Sequence, residues 1–324
     1  MKLLYHLQWE GKALATRQAL HPDVGFVEST SAEQTARELA DAEILVVGGP
    51  YYPGKVAEAV KTAAPKLRWI QTTSIGTDRF QEIGVPEDLV FTNAAGLKGR
   101  TVAEHAIALL LAQVHALPQM ERTRAEGRWA RDELRSYVSS IEGRTLLVLG
   151  YGSIGQEIAR KAKAFDVKVV ALNRGGEGGP PADVVAPVGA LGEWLPQADF
   201  VVCTLPLSAE TRHLIGRREL AAMKSESLLV NVGRGPVVDQ VALTEALQKG
   251  QIAGACLDVF EAEPLPAGDP LWRQKNLILS PHVAGTGGPL GERFAELVSE
   301  NLTRFKEGRP LVNQIRLGAP HASE

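Results

Sequence analysis

The sequence predicts an α/β protein built from two doubly wound, parallel-sheet domains, and three observations carry that expectation. Short apolar runs of strand composition alternate with helical segments almost from end to end, the pattern of right-handed βαβ units. A chain of 324 residues is too long for one small domain and long enough for two, each with its own core. A G-x-G-x-x-G array also stands between an apolar run and an amphipathic stretch, in the order strand, turn, helix.

Taken in order, strands are expected in LLYHL (3–7), EILVVGG (43–49), LRWIQTT (67–73) and LVFTN (89–93). They continue in TLLVLG (145–150), KVVALN (168–173), FVVCTLP (200–206), SLLVNVG (227–233), GACLDVF (254–260) and NLILSP (276–281). Between the two groups runs the longest helical stretch, about 100–124, which reads as a connector between domains. Pro118 should kink it or end its first segment, because proline removes a backbone donor and clashes with the preceding turn. A second boundary lies in AGTGGPLGE (284–292), where Gly and Pro precede the last helix. The expected arrangement is discontinuous: residues 1–98 plus 288–324 form one domain and 99–287, which carries the glycine array, the other.

Composition narrows the function classes. Hydrophobic residues make 44% of the chain and charged ones 23%, so a folded protein is expected throughout. The net charge of −3, with no Lys/Arg block, argues against nucleic acid or an anionic membrane as partner and points to a small ligand. The N-terminus lacks a signal-peptide core, and no apolar run approaches the roughly 18–20 residues of a membrane span. Cys203 and Cys256 lie in strand-like runs and read as buried thiols, neither a disulfide nor a metal pair; a reducing cytoplasm is the expected compartment and no metal is expected.

The glycine array assigns the cofactor. Gly150 permits a tight turn, Gly152 lets the backbone approach a pyrophosphate, and Gly155 allows the helix to pack on the strand. The helix beginning near Ser153 and Ile154 presents its amides and positive end to that anion. The next strand ends at Asn173 and Arg174, where a carboxylate would otherwise bind the ribose 2′-hydroxyl. With no acid to repel a 2′-phosphate and a guanidinium to pair with it, this end favours NADP over NAD.

Chemistry is expected at three charged residues that each follow a buried-strand run: Arg234 in VNVGRGPVVD, Glu263 in LDVFEAEPLP and His282 in LILSPHVAG. Open parallel sheets place their ligands at such strand ends. Together with GYGSIG, CTLPLSAETRHLIG, IQTTSIGTD and GRTVAEHAIALLLA, these segments resemble the D-isomer-specific 2-hydroxyacid dehydrogenases over nearly the whole chain.

The resemblance implies a Rossmann nucleotide domain inserted in a flavodoxin-like substrate domain, and an NAD(P)-dependent enzyme passing a hydride between nicotinamide and a small 2-keto or D-2-hydroxy acid. It makes His282 the acid/base, Glu263 its carboxylate partner, which would raise the His282 pKa, and Arg234 the anchor for the substrate carboxylate. It places Thr101 at a cofactor phosphate and Leu205 and Pro206 on the adenine side. Val232, Gly233, Asp258 and Gly285 fall at the nicotinamide, bordered by Arg234 and His282; Asp258 either binds the carboxamide or caps a turn. Ser74, Ile75 and Gly76 match a carboxylate-binding turn, and Tyr51 and Tyr52 either line the substrate side chain or pack. His105 and His115 read as packing or surface residues. A homodimer is implied through the nucleotide domain, with Trp129 and Tyr137 of the arm at 127–140 as anchors. Glyoxylate or hydroxypyruvate reduction fits best. Phosphoglycerate or phosphite oxidation and a nucleotide-sensing corepressor-like module are the alternatives.

Overall fold

The computed structural model describes residues 1–7 and 10–317, so residues 318–324 of the expected substrate-domain segment lie outside the described residues. By its internal contacts the chain divides into two compact units, Met1–Lys98 with Gly287–Glu324, and Gly99–Thr286. In chain order the strands are β1 (Lys2–His6), β2 (Gly25–Glu28), β3 (Ile44–Val47), β4 (Trp69–Thr72), β5 (Val90–Thr92), β6 (Thr145–Leu149), β7 (Lys168–Asn173), β8 (Val184–Pro187), β9 (Phe200–Cys203), β10 (Leu228–Asn231), β11 (Gly254–Leu257), β12 (Leu277–Leu279) and β13 (Gln314–Ile315).

In the first unit the sheet order is β13-β5-β4-β3-β1-β2, parallel except for β13. Leaving β13 aside, this is the flavodoxin-like order. The second unit has the order β12-β11-β10-β9-β6-β7-β8, parallel throughout, the Rossmann arrangement with one strand added.

Both faces of each sheet are covered, which is why the central strands read as unbroken apolar runs. In the second unit Leu146, Val148, Val202 and Val230 face one core with Ala106, Leu110 and Ile158. Their neighbours Leu147, Leu149, Val201 and Leu229 face the other with Leu243 and Leu247. Each of these Val, Leu and Ile side chains, buried fully, contributes about 1.5–3 kcal/mol.

Three strands were not legible in the sequence: β2, β8 and β13, all at sheet edges. None has a buried residue, whereas β3, β9, β10 and β11 are buried at every position. An edge strand is held by backbone pairing to one neighbour and needs no apolar run. The long helical stretch resolves into two helices, Gly99–Val114 and Leu117–Ala125. Ala116 turns left-handed between them (φ 54°), and Pro118 occupies the first turn of the second, where no backbone donor is required.

Cys203 and Cys256 are free and buried, and burial pushes the Cys203 thiol up to about 12. Among the described residues no helix is long and apolar enough to cross a membrane.

Candidate active site

Strand register assembles the site in the second unit. Leu149 pairs with Cys203, Cys203 with Asn231, Asn231 with Leu257, and Leu257 with Leu279. The residues that follow these positions, Gly150, Thr204, Val232, Asp258 and Ser280, therefore stand in one row along the carboxyl edge of the sheet. The order of the strands reverses between β6 and β9, which marks the ligand-binding crevice of such sheets.

The glycine turn fits a pyrophosphate. Gly150 has φ +100°, and a Cβ on Gly155 would collide with the Gly150 carbonyl, so the helix Ser153–Lys163 begins hard against the turn. Gly152 precedes that helix with no side-chain cap and with open space where a Cβ would be, leaving first-turn amides to serve an anion. The Thr204 hydroxyl donates to the Gly150 carbonyl at 2.9 Å and bolts the turn to the next strand end. Ser153 is exposed, and Ile154 packs against the core below. Gly99 lies against the Ser153 backbone, which brings the first turn of its helix, with half-buried Thr101, beside the cradle.

At the ribose end the structure changes one assignment. Asn173 is spent on its own loop: Oδ1 accepts from the Gly176 amide at 2.7 Å and Nδ2 donates to the Glu177 carbonyl at 2.7 Å. Its side chain therefore shapes the loop, and the neighbouring Arg174 is exposed. Tyr151, buried within the glycine array, ties down the far side of the same loop; its hydroxyl donates to Gly179 O and accepts from the Ala182 amide, both at 2.8 Å. The Glu210 carboxyl is held below the usual carboxylate range, first by its Ser208 hydrogen bond and to a smaller degree by Arg174.

Leu205 is buried and Pro206 exposed, and a side chain on Gly233 would press into the Leu205 carbonyl, so the β9 and β10 ends touch. Val232 is buried beneath them, and Gly285 is half-buried. Arg234 is half-buried; its Nη1 donates to the Gly233 carbonyl at 2.9 Å, and its own carbonyl accepts from Asn231 Nδ2 at 3.1 Å. Only glycine fits at 235, where the chain lies on the Phe260 backbone. The Phe260 amide in turn donates to Glu263 Oε1 at 3.0 Å, and Glu263 Oε2 meets His282 Nδ1 at 2.6 Å.

His282 is thus directly joined to Glu263, and the Arg234 turn packs on the segment that leads to Glu263. With Nδ1 engaged by a carboxylate, the Nε2 side of the half-exposed ring is turned to other partners. An apolar recess of about 730 Å³ adjoins the pair, lined in part by Phe260, Pro264, Leu265 and Trp272.

Asp258 takes the turn-holding part of its two readings. It is buried, and its oxygens accept Ser280 Oγ at 2.5 Å and the amides of Val283 and Ala284 at 2.9 and 3.0 Å. His105 belongs to the same cluster, with Nε2 2.9 Å from Ser280 Oγ. The expectation of a packing or surface role for His105 missed this, because nothing local places its helix beside the end of β12.

In the first unit, the Ser74 to Gly76 turn follows β4. Its carbonyls accept from Ala94 N, Asn93 Nδ2 and Ser74 Oγ at 3.0, 3.1 and 2.7 Å. Tyr52 takes the packing part of its two readings: it is fully buried, packs on Phe80 with ring centroids 4.5 Å apart, and donates to the Gly84 carbonyl at 3.0 Å. Burial pushes its phenol up, keeping it a neutral donor. Tyr51 is half-buried and stacks on His6. Trp129 and Tyr137 of the arm are 92% and 57% exposed.

The sequence pattern of the D-isomer specific 2-hydroxyacid dehydrogenase NAD-binding domain matches residues 107–284. A glyoxylate reductase of Korarchaeum cryptofilum is 38% identical over 258 residues, covering 78% of each chain. Among solved structures, a D-isomer specific 2-hydroxyacid dehydrogenase family protein of Aeromonas salmonicida superposes with a TM-score of 0.87 at 32% identity, covering 98% of this chain and 99% of that one. An NADPH-dependent glyoxylate/hydroxypyruvate reductase of Sinorhizobium meliloti, solved with citrate, superposes with a TM-score of 0.77 at 28% identity, covering 97% of each.

Proposed function

The chain belongs to the D-isomer specific 2-hydroxyacid dehydrogenase family and is an NAD(P)-dependent oxidoreductase, and from that premise we propose that it reduces glyoxylate or hydroxypyruvate with NADPH as preferred donor. The hydrogen bond between Glu263 and His282 Nδ1 is the observation that carries the reading. It sets the ring so that Nε2 gives a proton to the keto oxygen in reduction and takes one back in oxidation. Glu263 orients the imidazole and balances the charge of imidazolium. Arg234 holds the substrate carboxylate with its planar fork and polarises the keto oxygen.

The unit Gly99–Thr286 is assigned the cofactor and the unit Met1–Lys98 with Gly287–Glu324 the substrate. Gly150, Gly152, Ser153, Ile154 and Gly155 would hold the pyrophosphate, with Thr101 beside them. Leu205 and Pro206 would flank the adenine, and Val232, Gly233 and Gly285 the nicotinamide. Bound nicotinamide supplies the hydride. Arg174 supports the NADPH preference, as does the similarity to the NADPH-dependent reductase of S. meliloti. A homodimer is proposed as well, supported by the exposed aromatic anchors Trp129 and Tyr137.

A panel of 2-keto acids with NADPH and NADH tests the proposal. Glyoxylate or hydroxypyruvate should give the highest kcat/KM, and NADPH should outperform NADH. Preferential oxidation of 3-phosphoglycerate or phosphite would transfer the chain to another branch, and equal or better use of NADH would remove the cofactor preference. Replacing Arg174 with Ala should lower the NADPH-over-NADH ratio about tenfold, the worth of one charge-assisted phosphate contact.

A further inference from the structure

We propose that His105 is a positioning residue for the proton-transferring His282, acting through Ser280 and Asp258; this rests on the assignment of His282 as the acid/base. His282 occupies the left-handed region, with φ +55°, a conformation uncommon in residues other than glycine. Its surroundings converge on Asp258. The His282 amide is shared between the Asp258 carbonyl at 2.8 Å and the Ser280 carbonyl at 3.0 Å. The Asp258 carboxylate grips the chain on both sides of His282, at Ser280 Oγ before it and at the Val283 and Ala284 amides after it.

Donor arithmetic then gives His105 a direction. A serine hydroxyl has one proton, and that of Ser280 goes to Asp258 Oδ1, so Ser280 Oγ can only accept from His105 Nε2, 2.9 Å away. His105 must carry its proton on Nε2. It stands on the helix Gly99–Val114, whose buried face is part of the unit's core, so the contact ties the catalytic loop to a rigid element. By filling the Ser280 lone pair, His105 locks the hydroxyl toward Asp258. The oriented carboxylate in turn holds the backbone that presents His282. His105 touches no reacting atom.

The experiment is a double-mutant cycle between His105→Ala and Ser280→Ala in the full chain, with kcat for glyoxylate reduction, NADPH dissociation constants and thermal unfolding measured for each variant. Each single substitution should lower kcat about tenfold, the rate equivalent of one mispositioned hydrogen bond, while NADPH affinity stays within about twofold. The double variant should be no slower than Ser280→Ala alone. His105→Gln, which restores an N–H donor near the same place, should recover kcat to within about threefold of wild type and keeps the comparison decisive should His105→Ala fail to fold. A His105→Ala kcat within twofold of wild type, losses that multiply in the double variant, or a His105→Gln enzyme that folds as wild type yet stays as slow as Ser280→Ala would each overturn the proposal. His282→Ala serves as the control: if it keeps wild-type turnover, the acid/base assignment falls, whereas an inactive His282→Ala beside an unaffected His105→Ala removes only the role of His105.

Discussion

His6 and His282 both stand at the carboxyl ends of parallel strands, one in each unit, and their surroundings assign them opposite work. His6 closes β1, is 7% exposed, sets Nδ1 against the Thr35 hydroxyl at 2.8 Å and stacks on Tyr51 at 4.6 Å. Burial with only a neutral partner lowers its pKa, so the ring stays uncharged. His282 has a side chain 51% exposed and a carboxylate on Nδ1 at 2.6 Å. The same residue type at the same kind of position becomes packing in one unit and, in the other, the group we propose as the proton donor. What separates them is the charge of the partner and the access of solvent, not the fold.

The widest separation between the two histidines should appear in turnover. His282→Ala is expected to lower keto-acid reduction about 10²- to 10⁴-fold, the usual worth of a positioned general acid, with NADPH binding spared. Near wild-type kcat in that variant would erase the distinction altogether. Glu263→Gln should cost about 100-fold, because an amide neither balances imidazolium nor holds the ring as firmly. If its kcat stays within twofold, the partner is not what distinguishes His282.

Smaller effects belong to the packed side of the comparison. Tyr52→Phe should cost about 1 kcal/mol of stability through the lost bond to Gly84, with the KM for the keto acid unchanged; a several-fold KM change would return Tyr52 to the substrate. For His6 the effect lies in pH dependence. Its folded pKa is lowered below the ordinary 6.5, so under acid conditions the unfolded chain binds more protons than the folded one. Stability from this group is present above about 6.5 and falls as the pH drops below it. His6→Gln should lessen the fall in thermal midpoint between about pH 7.5 and 5.5 and leave kcat within about twofold. An unaltered acid limb together with lost activity would reverse the roles given to the two histidines.

Much of this was legible from local pattern. Runs such as TLLVLG and FVVCTLP announce strands buried on both faces, since a sheet covered by helices accepts apolar residues at every position. The glycines at 150 and 155 announce a close turn because a Cβ is excluded there. Arg234, Glu263 and His282 stood out because charged residues directly after buried strands need a reason to be there. Other features were out of reach. The edge strands β2, β8 and β13 carry no apolar run. Tyr51 and Tyr52 are identical in sequence, yet one stacks at a loop while the other is sealed in the core. Asn173 stands where a ribose-binding acid is expected, and nothing local shows that its amide closes the loop around Gly176 and Glu177.

What the sequence alone determined is therefore the alternation of elements, the glycine turn and the chemical types at the strand ends, all encoded in residues near one another along the chain. The tertiary structure alone decided which of those ends work together. Strand order and register bring Asp258 and Ser280 into one row, and the packing of a distant helix sets His105 against Ser280 across 175 residues of chain. Periodicity and steric exclusion are local quantities and can be read in a line of residues. A hydrogen bond between loops exists only once the core has fixed the distance between them.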